Sequence, residues 1–299
     1  MAGWFARTAM LATLVGTVTA CQTSRAAEGS FEATALRQQY ATLRDLPGRA
    51  SLGQTLVLQA SQSPGRVQGD VYAVVDRPYE QVRPALDRID RWCRLLTLNL
   101  VVKYCRAAGG GAESSLTIGV APRQVTSLSR VNWLRFVFAA PRDNDQYLEV
   151  VLSAPQGPFG TSDYRMRVEV TPVEGRSLLH LHYAYSFGLA ADLALKTYLT
   201  TLGRDKVGFS VVDRQADGQP IYVKGLRGIV ERDVMRYFLA IEAYLGAQRL
   251  PPQEQLARSL QDWFDAAERY PRQLHEIERG EYLEMKLRLA EQQQASPGW

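Results

Sequence analysis

Gly69–Cys105 reads GDVYAVVDRPYEQVRPALDRIDRWCRLLTLNLVVKYC, and how it divides decides the fold. Val71, Ala73 and Val75 alternate with Tyr72 and Val74, which is the two-residue period of a strand. Pro78 follows, suited to a first helical turn where a missing N–H is harmless. Val82, Leu86, Ile89 and Cys93 then recur at helical spacing and give one helix an apolar face. Leu98, Leu100, Val102 and Tyr104 alternate with Thr97, Asn99 and Lys103 as a second strand. The unit is strand, helix, strand.

Downstream of it the chain reads as strand after strand. Ala107–Ala112 is a glycine-rich turn. Strands are expected at Ser114–Val120, Val131–Ala139, Gln146–Ser153, Asp163–Thr171 and Ser177–Phe187, with loops at Pro141–Asp145 and Pro155–Pro158. Short turns between successive strands make an antiparallel meander. In Asp163–Thr171, Tyr164, Met166, Val168 and Val170 face one way and Arg165, Arg167 and Glu169 the other. In Ser177–Phe187, Leu179, Leu181, Tyr183, Tyr185 and Phe187 share a side, opposite His180, His182 and Ala184. Such a sheet needs a cover on its apolar side only. Gly228–Leu245 supplies one, with Val230, Val234, Tyr237, Phe238, Ile241 and Leu245 on a stripe and Glu231, Arg232, Arg236 and Glu242 off it. Six large apolar side chains buried there contribute on the order of 10 kcal/mol before entropy is subtracted.

Upstream of the opening unit, Leu52–Ala60 reads as a strand, Ser61–Gly65 as a turn and Val67–Val75 as the hairpin partner. Phe31–Leu46 carries Leu36, Tyr40 and Leu43 on one helical face and stops at Pro47-Gly48. Residues 190–224 form an insertion: a helix over Ala190–Leu202, then a hairpin of Val207–Val212 and Pro220–Lys224. Pro251-Pro252 separates a helical tail, residues 249–299, with Leu256, Leu260, Trp263 and Phe264 on one helix and Leu274, Ile277, Leu283 and Leu287 on another. The tail docks on the main domain or engages a protein partner; docking is the default.

The 299 residues suffice for a sizeable core, and 46% hydrophobic with 22% charged residues is an ordinary globular composition. A formal charge of +4 is too small to imply nucleic acid as a partner. There is no glycine-rich phosphate loop, and no G-x-S-x-G elbow to support a hydrolase.

The apolar run Ala9–Ala20 is too short to span a bilayer as a helix. It ends in Val18-Thr19-Ala20-Cys21, which resembles a bacterial lipobox, with Val18 where Leu is commoner. That resemblance implies a signal peptide over residues 1–20 and an acylated Cys21. Gln22–Ser30, within the segment 21–51, is polar and small and reads as a tether; with Gln22 rather than aspartate after the cysteine, the resemblance implies an outer-membrane, periplasm-facing place in the cell envelope. The rival is an ordinary secretory leader cut near Ala26-Ala27.

The order of strand, helix, antiparallel strands and long helix is similar to the START-like helix-grip superfamily, which includes polyketide cyclase-like and lipid-transfer proteins. The resembling residues are Val71–Val75, Pro78–Val82, Leu86, Trp92 and Gly228–Leu245, within a domain spanning residues 52–248. The resemblance implies an α+β fold in which a curved antiparallel sheet grips a long C-terminal helix around an apolar cavity. No catalytic residue carries over. The insertion, Pro84 inside the first helix and the tail depart from the simple pattern.

Phe136, Phe138, Tyr164, Met166, Tyr183, Tyr185, Tyr237 and Phe238 are the candidate cavity residues; a solid core would use the same ones. Three tyrosines on one face favour a partly polar cavity, because their buried hydroxyls need partners. Cys93 and Cys105 flank the helix-to-strand turn. In oxidising surroundings they pair as a disulfide or, failing that, stay two buried thiols. His180 and His182 lack a third ligand and are read as exposed histidines, so no metal or other cofactor is expected. His275 is read the same way. Gly203–Gly208 is read as a turn with local ion pairs. The leading expectation is an envelope lipoprotein that binds an apolar small molecule or lipid without turnover. The alternatives are a ligand-free structural or adaptor lipoprotein and a polyketide cyclase-like enzyme. The enzyme is disfavoured, since no Asp, Glu or His was found on the apolar face.

Overall fold

Strand β3 (Arg66–Val75) lies inside the sheet and is buried on both faces, Val71, Ala73 and Val75 against one core and Tyr72 against another. The computed structural model describes residues 16–44, 50–51, 55–109, 114–122, 127–139, 141–188, 197 and 205–295, with the side chains of all but 16–28 and 50–51. The expected helix Ala190–Leu202 lies outside the described residues apart from Thr197.

The other strands are β1 (Ala50–Ser51), β2 (Leu56–Ser63), β4 (Val102–Ala108), β5 (Ser115–Val120) and β6 (Asn132–Phe138). They continue as β7 (Arg142–Asp143), β8 (Leu148–Gln156), β9 (Thr161–Val173), β10 (Arg176–Phe187), β11 (Val211–Arg214) and β12 (Pro220–Tyr222). The main sheet runs in the order β1-β2-β3-β10-β9-β8-β6-β5-β4, with β7 on β8, and every pairing is antiparallel. β11 and β12 pair separately as the hairpin of the insertion.

The helices are α1 (Gly16–Arg44), α2 (Tyr79–Leu86), α3 (Ile89–Leu96), α4 (Gly225–Ala247), α5 (Pro252–Ala267), α6 (Pro271–Leu274) and α7 (Arg279–Ala295). The sheet closes on α4, whose Val230, Val234, Phe238 and Ile241 are buried in the main core. Gly69 permits the close crossing of β3 and α4: a Cβ there would stand 3.1 Å from Val234 Cγ1 and 3.3 Å from the Val230 carbonyl oxygen. The fold is therefore α+β, an antiparallel sheet gripping a long helix near its C-terminal end.

Four readings of the sequence are corrected here. The single helix of the opening unit is two, α2 and α3, broken at Asp87-Arg88. Pro84 inside α2 cannot donate to the Glu80 carbonyl, and the helix stops two residues later. The strand expected from Leu98 begins at Val102, and Leu98–Leu100 form buried turns instead. Gln22–Ser30, read as a tether apart from the helix Phe31–Leu46, is helical and continuous with it in α1. No proline occurs between Gly16 and Arg44 to stop it.

The fourth correction concerns the second face of the sheet, which was expected to need no cover. Helix α1 covers it, burying Ala33, Leu36, Tyr40 and Leu43 against Val57, Tyr72, Tyr147 and Leu178. Polar contacts fix the position. Arg37 donates to the Pro172 carbonyl at 3.1 Å and to Thr171 Oγ1 at 3.0 Å, and Gln39 donates to the Tyr72 hydroxyl at 2.7 Å.

His180 is thereby buried, 2% exposed, rather than exposed as its face suggested. Its Nδ1 donates to Glu169 Oε2 at 2.7 Å and its Nε2 to Asp70 Oδ1 at 2.9 Å. Both partners are carboxylates, so both ring nitrogens carry protons and the ring is an imidazolium. It stacks on Tyr72 with centroids 4.1 Å apart. His182 is half-buried and donates to the same Asp70 oxygen at 2.9 Å.

The tail is docked. Leu260, Trp263, Phe264, Leu274, Ile277, Tyr282 and Leu289 belong to the main core. Glu276 accepts from Lys206 at 2.9 Å and Arg236 at 2.6 Å, and also from Arg232, tying tail and insertion to α4. Glu231, off the apolar stripe, is fully buried. It accepts from the backbone N–H groups of Phe209 and Ser210 at 2.6 and 2.9 Å, so the insertion is held by a carboxylate of α4. No helix among the described residues is long and apolar enough to cross a membrane.

Candidate ligand cavity

Alternation along β5, β6, β8 and β9 turns Ile118, Leu134, Phe136, Leu152, Tyr164 and Met166 toward the gripped helix. There they line a cavity of about 140 Å³, closed on the helix side by Asp233 and Tyr237 and on another by the turn Leu96–Val102. Five of the candidate residues meet in it: Phe136, Tyr164, Met166, Tyr183 and Tyr237. Phe138, Tyr185 and Phe238 are buried in the core but line no part of the cavity. Tyr185 stacks on Tyr164 with centroids 5.3 Å apart and supports it from beside.

One end of the cavity is polar. Tyr164 donates its hydroxyl to Thr161 Oγ1 at 2.8 Å. The Tyr183 and Tyr237 rings are 5.2 Å apart and tilted by 56°. Asp233 completes this end, its Oδ1 3.5 Å from Arg236 Nη1 and its side chain 32% exposed. Burial raises its carboxyl above the ordinary range, and the cations Arg236 and Arg232 oppose that shift without cancelling it.

Asp233 is the residue that the reading of the sequence missed. It lies one turn before Tyr237, an i, i+4 pair on the same face of α4, and that spacing was the available signal. It contradicts the expectation that the apolar face holds no acid. The arrangement can seat a small apolar body and offer its polar end a hydrogen-bond acceptor and several hydroxyls.

Cys93 and Cys105 are joined as a disulfide between α3 and β4, Cα atoms 5.2 Å apart. The side chain of Cys21 lies outside the described residues. No group of three or more His, Cys, Asp or Glu is placed to hold a metal ion among the described residues. Glu268 pairs with His275 at 3.0 Å on the surface.

No family model matches the chain, and no curated protein does. Among solved structures it is similar to truncated norcoclaurine synthase from Thalictrum flavum, at 14% identity and a TM-score of 0.33, over 50% of this chain and 88% of that one. It is similar to Ara h 8.0201 at 11% identity and a TM-score of 0.35, over 62% of this chain and all of that one, 100%. Human StAR-related lipid transfer protein 5 is similar at 11% identity and a TM-score of 0.34, over 60% and 92% of the two chains.

Proposed function

We propose that this protein binds a small apolar molecule carrying a hydrogen-bonding group, in the cavity between the sheet and α4. We further propose that an acylated Cys21 holds it at the cell envelope. The observation that carries the binding reading is a cavity walled by Ile118, Leu134, Leu152 and Met166 with Asp233 and tyrosine hydroxyls at one end. Asp233, its side chain 32% exposed and its Oδ1 3.5 Å from Arg236 Nη1, brings a hydrogen-bond acceptor to the edge of the cavity. Volume selects the ligand class. Cavities of about 150 Å³ hold a benzene-sized molecule, and this one, at about 140 Å³, matches a single ring better than a long-chain lipid. A phenol fits the chemistry, its ring on the aliphatic wall and its hydroxyl donating to Asp233.

The anchor reading is supported by the apolar run ending at Cys21. Acyl chains contribute about 0.8 kcal/mol per buried CH₂, enough with more than one chain for stable membrane association.

A second reading is favoured by Asp233 itself: an enzyme of polyketide cyclase type, in which this carboxyl moves a proton on the bound ring. A raised carboxyl pKa is what such a role needs. Native mass spectrometry of protein isolated from its own cells separates the readings. Binding without turnover leaves a ring-sized molecule on the parent, and Asp233→Asn, if folded, carries less of it. A catalyst accumulates an unconverted molecule of different mass on Asp233→Asn. A ligand-free parent and a ligand-free variant would contradict both.

A further inference from the structure

Helix α1 packs on Val57, Tyr72, Tyr147 and Leu178, toward one end of the outer face of the sheet. Toward the other end, Val137, Ser153, Arg165 and Ala184 are successive partners across β6, β8, β9 and β10. Ala184 shares its side of β10 with His180, which stacks on Tyr72 under α1, so this row lies on the face that carries α1. Arg135 and Trp133 alternate with Phe136 and Leu134 and stand on the same side of β6 as Val137. Val137 is 47% exposed and Trp133 46%, and Arg135, Ser153 and Arg165 are exposed with them. Tyr104 meets the Trp133 ring edge to face, with centroids 5.3 Å apart, and steadies the indole at the surface.

The charge of this patch is positive. Arg135 donates to Ser115 Oγ at 3.4 Å, and neither it nor Arg165 forms an ion pair among the described residues. The acids of β3, β5, β6, β8, β9 and β10 are Asp70, Glu149, Asp163 and Glu169. Asp70 accepts from His180 and His182, Glu169 from His180 and Tyr147, and Glu149 from Arg142. Asp163, exposed and accepting from Ser162, is the one acid of these strands without a cationic or tyrosine partner among the described residues. Guanidinium groups pair with phosphate oxygens, and an indole suits the boundary between an apolar and a polar phase. Helix α1 lies on the same face, contains Cys21 and exposes Phe31, 76% accessible.

We propose that this face docks on an anionic lipid surface, with Arg135 and Arg165 against headgroup phosphates and Trp133 and Val137 at the interface. The choice of a membrane as the anionic partner rests on the reading of Cys21 as an anchor, which would bring this face of the sheet to a bilayer. The site is independent of the ring-sized cavity.

The test is cosedimentation of the leader-free chain carrying Cys21→Ala with vesicles of phosphatidylcholine, alone or with about a third phosphatidylglycerol. This chain has no acyl group, so failure here leaves the anchor reading standing, and failure of the anchor shows in cell fractionation instead. The expected result is binding at least tenfold tighter to the anionic vesicles, lost at about 0.5 M NaCl because salt screens exposed charges. Arg135→Glu/Arg165→Glu, with a parent-like melting curve, should weaken that binding at least tenfold. Arg214→Glu/Arg272→Glu makes the same change in net charge at exposed positions off this face, and should bind within about twofold of the unsubstituted chain. Trp133→Ser, again with parent-like melting, should weaken binding at least threefold. Equal binding to both vesicle types, or equal weakening by the two arginine pairs, would overturn the proposal. So would a single-stranded oligonucleotide bound as tightly as the anionic vesicles and lost in Arg135→Glu/Arg165→Glu, which would assign the face to nucleic acid.

Discussion

The Tyr282 hydroxyl donates to the backbone carbonyl of Leu98 at 2.7 Å, so the tail helix holds the turn that walls the ring-sized cavity. Lys286 holds the same turn through Asn99 and Val102, and Gln293 pairs with both backbone groups of Cys105, at 3.2 and 2.7 Å. The tail is thus part of the domain. Tyr282→Phe should cost about 1–3 kcal/mol, since it leaves the buried Leu98 carbonyl without this partner. Urea unfolding of parent and variant measures this, and an unchanged midpoint would show that the clamp contributes nothing.

The disulfide between Cys93 and Cys105 closes a short loop, with a sequence separation of 12. In the chain-entropy model such a closure stabilises by roughly 3 kcal/mol. Reduction without denaturant should therefore lower the melting temperature, and Cys93→Ser/Cys105→Ser should melt where the reduced parent does. Thiol alkylation of the unreduced, denatured parent should label neither cysteine; quantitative labelling of both would disprove the bond.

The ion network under α1 predicts a pH window. Burial would push Asp70 up, but hydrogen bonds from His180 and His182 hold it down to about 2. Burial would push His180 down, but Asp70 and Glu169 raise it above its ordinary 6.5. A depressed carboxylate stabilises fully above its unfolded pKa and loses that contribution as pH falls toward 2. A raised imidazole stabilises fully below its unfolded pKa and loses that contribution as pH rises through the higher folded value. The network therefore contributes most between about pH 4 and about pH 6.5. His180→Gln should lower stability at about pH 5 and flatten the decline toward about pH 9. An alkaline decline as steep in the variant as in the parent would assign it to other groups.

Acylation of Cys21 predicts that Cys21→Ala leaves the membrane fraction for the soluble one, while the parent leaves membranes only with detergent. If the variant, with its leader removed normally, fractionates with the parent, the anchor reading fails.

The sheet was legible because its strands are buried on one side with a two-residue period, as Tyr164, Met166, Val168 and Val170 show. The gripped helix was legible for the same reason at a period near four. His180 was not. Its face carries arginines and glutamates, and composition reads such a face as solvated. Only the docking of Leu36, Tyr40 and Leu43 of α1 onto it, a contact distant in sequence, turns His180 into a buried cation. The break at Asp87-Arg88 escaped because Val82, Leu86, Ile89 and Cys93 keep helical phase across it. The cavity was half legible. Alternation gives the direction in which Tyr164 and Met166 point, but not whether the space they face is filled. Phe138 and Phe238 share those directions and meet solid core.

Equilibrium dialysis of p-cresol against the parent, Leu134→Trp and Val168→Phe tests the cavity most directly. Leu134 lines it; Val168 is fully buried on the same face of the sheet without lining it. The account predicts one saturable site in the parent. Leu134→Trp should abolish that site with little change in melting, because the indole enters existing space. Val168→Phe should lose about 1–3 kcal/mol of stability through overpacking. No saturable binding to the parent, together with a Leu134→Trp as destabilised as Val168→Phe, would contradict it and make the grip a solid core.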